Sequence, residues 1–299
     1  MVDSTKYFNL ILAVIISVLS TIVFVLNYYV YQFPGNNYFP PQMTGMGIIL
    51  ILTLLGTYLL FDTNSNYFKI IRELIYFFLV ISVIANATNA IQLTPFNPID
   101  EQLISIDQAF SVHLEPIMAW AARIPWLNNM LKLSYDSLSY QMAYLPFVMI
   151  FARKFSYLHE YYSLLFLTAL LGFSFYYFFP TMGPASFMKS PYFVTEQYAT
   201  GVKFAEIHRH IPPSTLDGGM IAMPSFHVIW ACLCLYLSRC WPILFIVLFP
   251  LNILLIASCV LLGWHYVIDL IGSFITLVLA YGIYFFVKTY YAPRRFVLS

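Results

Sequence analysis

The chain has 299 residues, of which 61% are hydrophobic, 19% aromatic and 9% charged. Soluble domains contain about 45–50% apolar and about 25% charged residues, so this composition excludes a water-soluble globular protein. The formal net charge is +1, from 14 Lys and Arg and 13 Asp and Glu. Because this balance provides no basic surface to neutralise a phosphate backbone, we expect no nucleic-acid partner.

Eight apolar runs, separated by charged or by Pro-, Asn- and Gly-rich interruptions, predict an all-α polytopic membrane protein with about eight transmembrane helices. Lys6 precedes the first run, which has no small-residue cleavage site and is expected to remain as an uncleaved span. The predicted spans cover residues 8–31, 44–61, 74–92, 131–152, 158–179, 225–237, 242–263 and 266–287.

Two connections are longer than the others. Residues 99–125 mix charged side chains with apolar ones spaced three or four apart, a pattern typical of a helix that lies on the membrane interface. Residues 180–223 contain Pro, Gly, Ser and Thr throughout. A connection of that length in so compact a protein is usually functional, so we expect it to contribute to a site.

The distribution of Lys and Arg predicts the orientation, because cytoplasmic loops are enriched in these residues. The side that holds both termini carries Lys6, Lys69, Arg72, Arg153, Lys154, Arg239, Lys288, Arg294 and Arg295. The opposite side carries Arg123, Lys132, Lys189, Lys203 and Arg209. We therefore expect both termini to be cytoplasmic. The 180–223 connection and the starts of the sixth and eighth spans should then face the extracytoplasmic or lumenal side.

The first candidate site is Met-Pro-Ser-Phe-His at residues 223–227, where the sixth span begins. Pro suits the first turn of a helix, and Ser225 suits its N-cap. The first backbone N–H groups and the helix dipole both favour an anion at such a position. The pattern predicts a phosphate site that includes Ser225, with the His227 imidazole one turn into the helix.

The second candidate site is at the start of the eighth span. His265 and Asp269 are four residues apart, so on a helix the carboxylate can accept a hydrogen bond from one ring nitrogen. The other nitrogen is then a nucleophile or base, and His227 can donate the proton to a leaving oxygen. Each residue alone also fits a structural role, as an interfacial His or a capping Asp. Two such pairs on one predicted face favour a common catalytic site.

These motifs resemble a known superfamily. Pro-Ser-Phe-His at 224–227 resembles the Pro-Ser-x-His motif of the type-2 phosphatidic acid phosphatase and haloperoxidase superfamily. Ser258, His265 and Asp269 have the spacing of its Ser-Arg-x5-His-x3-Asp motif. Gly-Trp-His-Tyr-x-x-Asp at 263–269 and Pro-Thr-Met-Gly-Pro at 180–184 are similar to the inositol phosphorylceramide synthase branch, an inositolphosphotransferase group with bacterial membrane relatives.

The resemblance covers residues 74–287 and implies three parts. Residues 1–73 would form two additional amino-terminal transmembrane helices and their connection. Residues 74–288 would form a six-helix catalytic core with 180–223 as its active-site loop, and 289–299 a cytoplasmic tail. The membrane would be a bacterial inner membrane or an endomembrane.

The resemblance also implies a mechanism on membrane lipid substrates, without metal or cofactor. His265 would attack the phosphorus of a lipid phosphoester, Asp269 would orient His265, and His227 would protonate the departing oxygen. The resulting phosphohistidine would be resolved by an acceptor hydroxyl in a phosphotransferase, or by water in a lipid phosphate phosphatase. A non-catalytic lipid-binding protein or a transporter is a further alternative. A proton-coupled carrier would place its ionisable residues near mid-membrane, whereas these lie at span ends.

Two departures from the superfamily pattern affect phosphate binding. Cys259 stands where the motif has Arg, and the Lys-x6-Arg-Pro motif is absent. A phosphoryl transition state needs cationic donors, so the candidates for phosphate binding, besides Ser225, are Lys189, Lys203 and Arg209. The candidates for lining a head-group pocket are Tyr135, Asp136 and Tyr266. Both departures favour a transferase over a phosphatase.

Overall fold

The computed structural model describes residues 2–39 and 41–291, which form eleven α-helices and no strand. A π-helical turn, Asn27–Tyr31, extends α1, and a short 3-10 helix, Pro184–Ser186, lies between α7 and α8. The helices are α1 Val2–Leu26, α2 Met43–Leu60, α3 Asn66–Ile91, α4 Asp100–Ala109, α5 Leu114–Ala122, α6 Pro125–Phe151, α7 Phe155–Phe178, α8 Thr195–His208, α9 Phe226–Ser238, α10 Pro242–Leu261 and α11 Val267–Tyr291.

Each of the eight predicted spans coincides with one helix: α1, α2, α3, α6, α7, α9, α10 and α11. Six of them, within the described part of the chain, are long and apolar enough to cross a membrane. The other two are α9, which has 13 residues, and α6, which is long but carries Asn, Lys, Asp and Gln. The predicted fold class, an all-α polytopic integral membrane protein, is confirmed, with six rather than eight helices meeting both criteria.

Helix α7 is the centre of the bundle. Most of its side chains are buried, including Leu158, Tyr162 and Phe166, and it packs against α1, α3, α6, α9 and α11. The outer faces of the bundle are apolar and exposed, as at Leu59 of α2 and Val278 of α11. An apolar exterior around a packed interior is expected when the surrounding solvent is lipid.

The prediction of one interfacial helix across residues 99–125 is wrong. The segment forms two short helices, α4 and α5, separated by a turn in which Ser111 has φ +58. The polar side chains Asp100 and Asp107 are buried rather than solvated. Helical periodicity shows which residues share a face, but it cannot tell whether that face meets water or the backbone N–H groups of other elements.

The amino-terminal helices are joined to the core by buried polar contacts. Asn9 of α1 donates to the carbonyl oxygen of His159 in α7 at 3.0 Å, and Glu73 of α3 contacts His159 Nε2 at 2.6 Å. The predicted boundary at residue 73 lies within α3. Residues 292–299 of the predicted tail, with Arg294 and Arg295 of the orientation count, lie outside the described residues.

Candidate active site

Two adjoining cavities lie where α9 and α11 begin. The larger, which we call the vestibule, has a volume of about 810 Å³, and the smaller, the inner cavity, about 30 Å³. They share five lining residues, namely Tyr135, Gln197, Gly219, His227 and Trp264, and His265 lines the inner cavity. The fold therefore brings the two predicted motifs together, with the rings of His227 and His265 6.0 Å apart.

The contacts of His265 determine which ring nitrogen carries the proton. Nδ1 is 2.9 Å from the carbonyl oxygen of Ala222, which can only accept a hydrogen bond, so Nδ1 is protonated. Nε2 is 3.0 Å from Ser225 Oγ and accepts from that hydroxyl. Burial lowers the pKa of His265 to about 4, although the hydrogen bond to Ala222 acts in the opposite direction. The ring is therefore neutral at physiological pH, with its lone pair on Nε2.

Asp269 does not make the hydrogen bond that the i, i+4 spacing predicts. Its Oδ2 is 3.4 Å from His265 Nδ1 and instead accepts from the backbone N–H of Tyr266 at 2.9 Å. The physical reason is that α11 begins at Val267, so His265 lies before the helix and helical spacing does not govern the pair. Asp269 remains completely buried beside the ring, where a negative charge can stabilise an imidazolium.

His227 is held by an aromatic stack. Its ring lies 4.2 Å from that of Tyr135 at an interplanar angle of 16°, and Tyr135 in turn stacks on Trp264 at 4.9 Å. The Nδ1 atom is 3.4 Å from the Tyr135 hydroxyl. His227 is half-buried and lines both cavities, so it can reach a ligand from either one.

Ser225 is the N-cap of α9, as predicted, and its hydroxyl accepts from Val228 N–H at 3.4 Å. Its own N–H donates to Ser273 Oγ at 2.7 Å, and Ser273 donates to the carbonyl oxygen of Asp269 at 2.7 Å. Ser225 is fully buried and bonded to His265. The hydroxyl that we expected to bind phosphate thus contacts Nε2 of His265 directly.

The structure does not bring the three predicted loop cations into the cavities. Lys189 and Arg209 are exposed and line neither cavity. Lys203 is buried and donates to the carbonyl oxygen of Gly219 at 3.2 Å. Burial lowers its pKa to about 8, and Asp217 acts in the opposite direction. Lys203 therefore supports a wall of the site rather than facing a ligand.

Lys132 of α6 was not predicted, yet among the described residues it is the one Lys or Arg that lines either cavity. The signal was in the sequence, since Lys132 precedes Tyr135 and Asp136 by three and four residues and shares their helix face. Cys259, at the position of the superfamily Arg, is completely buried and bonds to Leu255 within its own helix.

Of the predicted pocket residues, Tyr135 lines both cavities and Asp136 lines the vestibule. Tyr266 is only 1% exposed and lines neither, so this prediction is wrong. Trp264, which precedes His265, lines both cavities in the position that we expected for Tyr266. Residues on either side of His265 in the turn between α10 and α11 point to different surroundings, and only packing decides which one faces the cavity.

The 180–223 connection folds over the site, as expected from its length. Thr181 Oγ1 accepts from the backbone N–H groups of Ala222 and Met223 at 3.0 and 2.9 Å, which closes the connection on itself. From α8, Gln197 Nε2 donates to the carbonyl oxygen of Leu262 at 3.0 Å and ties the connection to the end of α10. These bonds place a protein wall over His227 and His265.

These features define the class of the protein, an integral membrane protein with a polar, histidine-containing site at one end of its apolar helices. A family model described as the PAP2 superfamily matches residues 101–283, more than half of the chain. The chain therefore belongs to the PAP2 superfamily, as its motifs indicated. Membership supports an enzyme of the lipid phosphatase or phosphotransferase type. Curated proteins and solved structures give no match.

Proposed function

We propose that the protein is a phosphotransferase that moves a phosphorylated head group from one membrane lipid to the hydroxyl of another, through a phosphohistidine at His265. The observation that carries the proposal is the neutral, buried His265 ring, which directs its Nε2 lone pair toward Ser225 with His227 6.0 Å away. A nucleophile and a separate proton donor in one cavity wall are what a double displacement at phosphorus requires.

The proposed first step forms a bond from His265 Nε2 to phosphorus. The bond from phosphorus to the glycerol oxygen of the donor lipid breaks and its electron pair stays on that oxygen. His227, whose cationic form is favoured once the anionic phosphoester is bound, supplies a proton to it. In the second step the hydroxyl oxygen of the acceptor lipid attacks phosphorus and its proton returns to His227. The electron pair of the P–N bond returns to Nε2. Asp269, 3.4 Å from Nδ1, stabilises the cationic ring between the steps.

The charge of the cavities favours a phosphodiester over a phosphomonoester. A phosphomonoester carries about −1.5 to −2 charge at neutral pH, whereas a phosphodiester carries one negative charge. Lys132 is the one Lys or Arg in the described part of the chain that lines either cavity, and the vestibule also contains Asp136 and Glu196. A dianion would therefore be poorly compensated, which supports a head-group transferase over a phosphatidic acid phosphatase.

An inositol-type head group fits this lining. Carboxylates and amides accept and donate hydrogen bonds to hydroxyl groups, and the vestibule presents Asp136, Glu196, Gln197 and Asn128. Its volume of about 810 Å³ leaves room for a ring beyond the phosphate. We therefore propose a phosphoinositide-type donor and a ceramide acceptor, as in the branch that the motifs resemble.

The proposed orientation follows from the charges at the two ends of α9 and α11. Both helices begin at the site, and at their far ends Arg239 and Lys288 bond to Glu160. At the same end of the bundle, Lys6 and Arg72 form ion pairs with Glu73. Because cytoplasmic surfaces are enriched in Lys and Arg, we place that end in the cytoplasm and the site on the extracytoplasmic or lumenal face.

The test is to follow labelled phosphate from a head-group-radiolabelled phosphoinositide, with and without ceramide, using protein purified in detergent. We expect label in a new lipid only when the acceptor is present. His265→Ala and His227→Ala should abolish transfer, and His113→Ala, an exposed histidine at the start of α5, should not. Label released only in water-soluble form would indicate a phosphatase, and equal signals from wild type and His265→Ala would exclude this chemistry.

Lys132 provides a separate check on the charge argument. Lys132→Met keeps the length of the side chain and removes the charge, so we expect KM for the donor lipid to rise by about tenfold, the equivalent of one charge-assisted hydrogen bond. Lys189→Met, at an exposed position that lines neither cavity, is the matched control. A larger effect at Lys189 than at Lys132 would contradict the placement of the phosphate.

A further inference from the structure

Helix α4 contacts the active-site wall through two buried carboxylates. Asp107 is one of them, and its two oxygens accept from successive backbone N–H groups at the start of α11, Val267 at 2.9 Å and Ile268 at 3.0 Å. Val267 is two residues after His265. The carboxylate therefore holds both N–H groups that open α11, directly behind the turn that carries the histidine.

Asp100 makes the equivalent pair of bonds to the other half of the wall. Its oxygens accept from Met182 N–H at 2.9 Å and Gly183 N–H at 2.8 Å, and both of these residues line the inner cavity. Gly183 has φ +84 and lies against Trp264, since a Cβ there would be 3.4 Å from the Trp264 carbonyl oxygen. The two halves are thus in van der Waals contact here, and the positive φ of Gly183 would strain any other residue at this position.

The two carboxylates are seven residues apart on one helix, which places them on the same face two turns apart. A ten-residue helix thereby joins the connection after α7 to the start of α11. Ile99 N–H, just before α4, adds a bond to the carbonyl oxygen of Pro180 at 2.9 Å. Each carboxylate makes stronger bonds in its ionised form, because hydrogen bonds to an ionised acceptor are about twice as strong as neutral ones.

We propose that Asp107 is a positioning residue that fixes His265 for attack on phosphorus, and that Asp100 does the same for the opposite wall of the inner cavity. Neither side chain lines a cavity, so each acts through the backbone groups that it holds. The expected effect on reaction rate rests on the proposed phosphotransfer at His265. The placement of His265 by Asp107 does not depend on that reaction.

The kinetic test is Asp107→Asn, in which the amide nitrogen cannot accept and one of the two N–H groups loses its partner. A misplacement of about 1 Å at a reacting centre lowers rates about 100-fold, so we expect kcat to fall by up to that factor while KM for the donor lipid changes little. Asp107→Glu should recover part of the rate by restoring a carboxylate. Glu101→Gln, an exposed neighbour on α4, should behave as wild type.

A second readout is independent of any lipid substrate. Diethyl pyrocarbonate acylates neutral imidazoles, and mass spectrometry can follow its reaction at His265 and at the exposed His113 in detergent-solubilised protein. We expect His265 to react several-fold faster in Asp107→Asn than in wild type, with His113 unchanged. The melting temperature of each variant identifies loss of fold, and Asp100→Asn, at the other wall, is used if Asp107→Asn does not fold.

The outcomes separate the two proposals. If kcat and His265 reactivity both match wild type, the positioning role is overturned. It is also overturned if kcat falls with the melting temperature while His265 reactivity stays constant, because that combination describes a purely structural residue. If reactivity changes but wild type transfers no head group to any lipid, the positioning of His265 by α4 is supported and the proposed phosphotransfer fails.

Discussion

The Nδ1 atom of His265 is 2.9 Å from the carbonyl oxygen of Ala222 and 3.4 Å from Asp269 Oδ2. The backbone carbonyl therefore sets the tautomer, and Asp269 lies beside the ring, where its ionised form can stabilise a cation. In this respect the site differs from a triad in which the acid both selects the tautomer and stabilises the cation. The two roles can be separated by mutation.

Asp269→Asn should retain the tautomer, because Ala222 still accepts from Nδ1, and lose the charge that stabilises the cationic ring. We expect kcat to fall by about 100-fold, the effect of removing one electrostatic contact at a transition state. His265→Ala should leave no turnover. Steady-state kinetics of the two variants measure the difference, and equal losses would indicate that Asp269 is needed for the tautomer as well.

The acid side of the pH profile should have two steps. Burial, with a smaller contribution from Asp269, raises the pKa of Asp100 to about 7 against the lowering effect of the Met182 and Gly183 N–H groups. The pKa of His265 is lowered to about 4. As pH falls, Asp100 first loses the carboxylate that holds the inner-cavity wall, and His265 then loses its lone pair.

We therefore expect kcat/KM, which reports the free enzyme, to decline near pH 7 and again near pH 4. For Asp100→Asn we expect only the decline near pH 4 to remain, and we expect kcat/KM to be lower than in wild type at every pH. A phosphodiester donor remains a monoanion over this range, so its own ionisation does not contribute. If kcat/KM of the wild type is constant between about pH 5 and about pH 8, there is no step near pH 7, and the role of Asp100 is contradicted.

At the scale of elements, the site depends on how α10 ends. Gly263 has φ +77, a left-handed conformation that favours glycine, and it follows the last turn of α10. A Cβ at this position would lie 2.2 Å from Met118 Sδ and 2.7 Å from the Phe193 ring. Glycine is therefore the residue that fits at position 263, where the turn that carries His265 begins.

Gly263→Ala should lower the free energy of unfolding by about 1–3 kcal/mol from backbone strain alone, and the clash with α5 should displace His265 and reduce kcat. Gly282→Ala in α11 is the matched control, because nothing lies within 4 Å of a Cβ there and its φ is ordinary. Thermal unfolding in detergent measures both. A Gly263 variant as stable as the Gly282 variant would show that the turn can relax.

At the scale of the whole molecule, a buried ionic cluster joins the amino-terminal helix to the core. Glu73 of α3 is 1% exposed and contacts His159 of α7 at 2.6 Å, Lys6 of α1 at 3.2 Å and Arg72 at 3.4 Å. The Glu73 carboxylate therefore connects three helices, α1, α3 and α7. The helices before residue 74 are part of the same folded unit as the residues that carry the site.

Glu73→Ala should lower the free energy of unfolding by about 3 kcal/mol, the lower end of the cost of breaking a buried ion pair, since Lys6 and Arg72 are partly exposed and can be rehydrated. Asp62→Asn, an exposed carboxylate between α2 and α3, should have little effect. Thermal unfolding compares the two. If Glu73→Ala is as stable as Asp62→Asn, the amino-terminal helix is held by apolar packing alone.

The sequence by itself determined the membrane class, the positions of the long helices and the two histidine motifs. These follow from local properties, because the apolar content of about 20 consecutive residues decides membrane insertion and the N-cap preference of Ser225 depends on its immediate neighbours. The motifs also indicated the superfamily correctly. The nine-to-five distribution of Lys and Arg predicts an orientation that stays a prediction.

The tertiary structure alone decided which groups meet across long stretches of chain. Asp107 reaches α11 across about 160 residues, Trp264 rather than Tyr266 faces the cavity, and Lys132 rather than the loop cations lines the vestibule. The His265 proton is positioned by Ala222, 43 residues away. Such contacts depend on the packing of whole helices, so no local pattern around either partner encodes them.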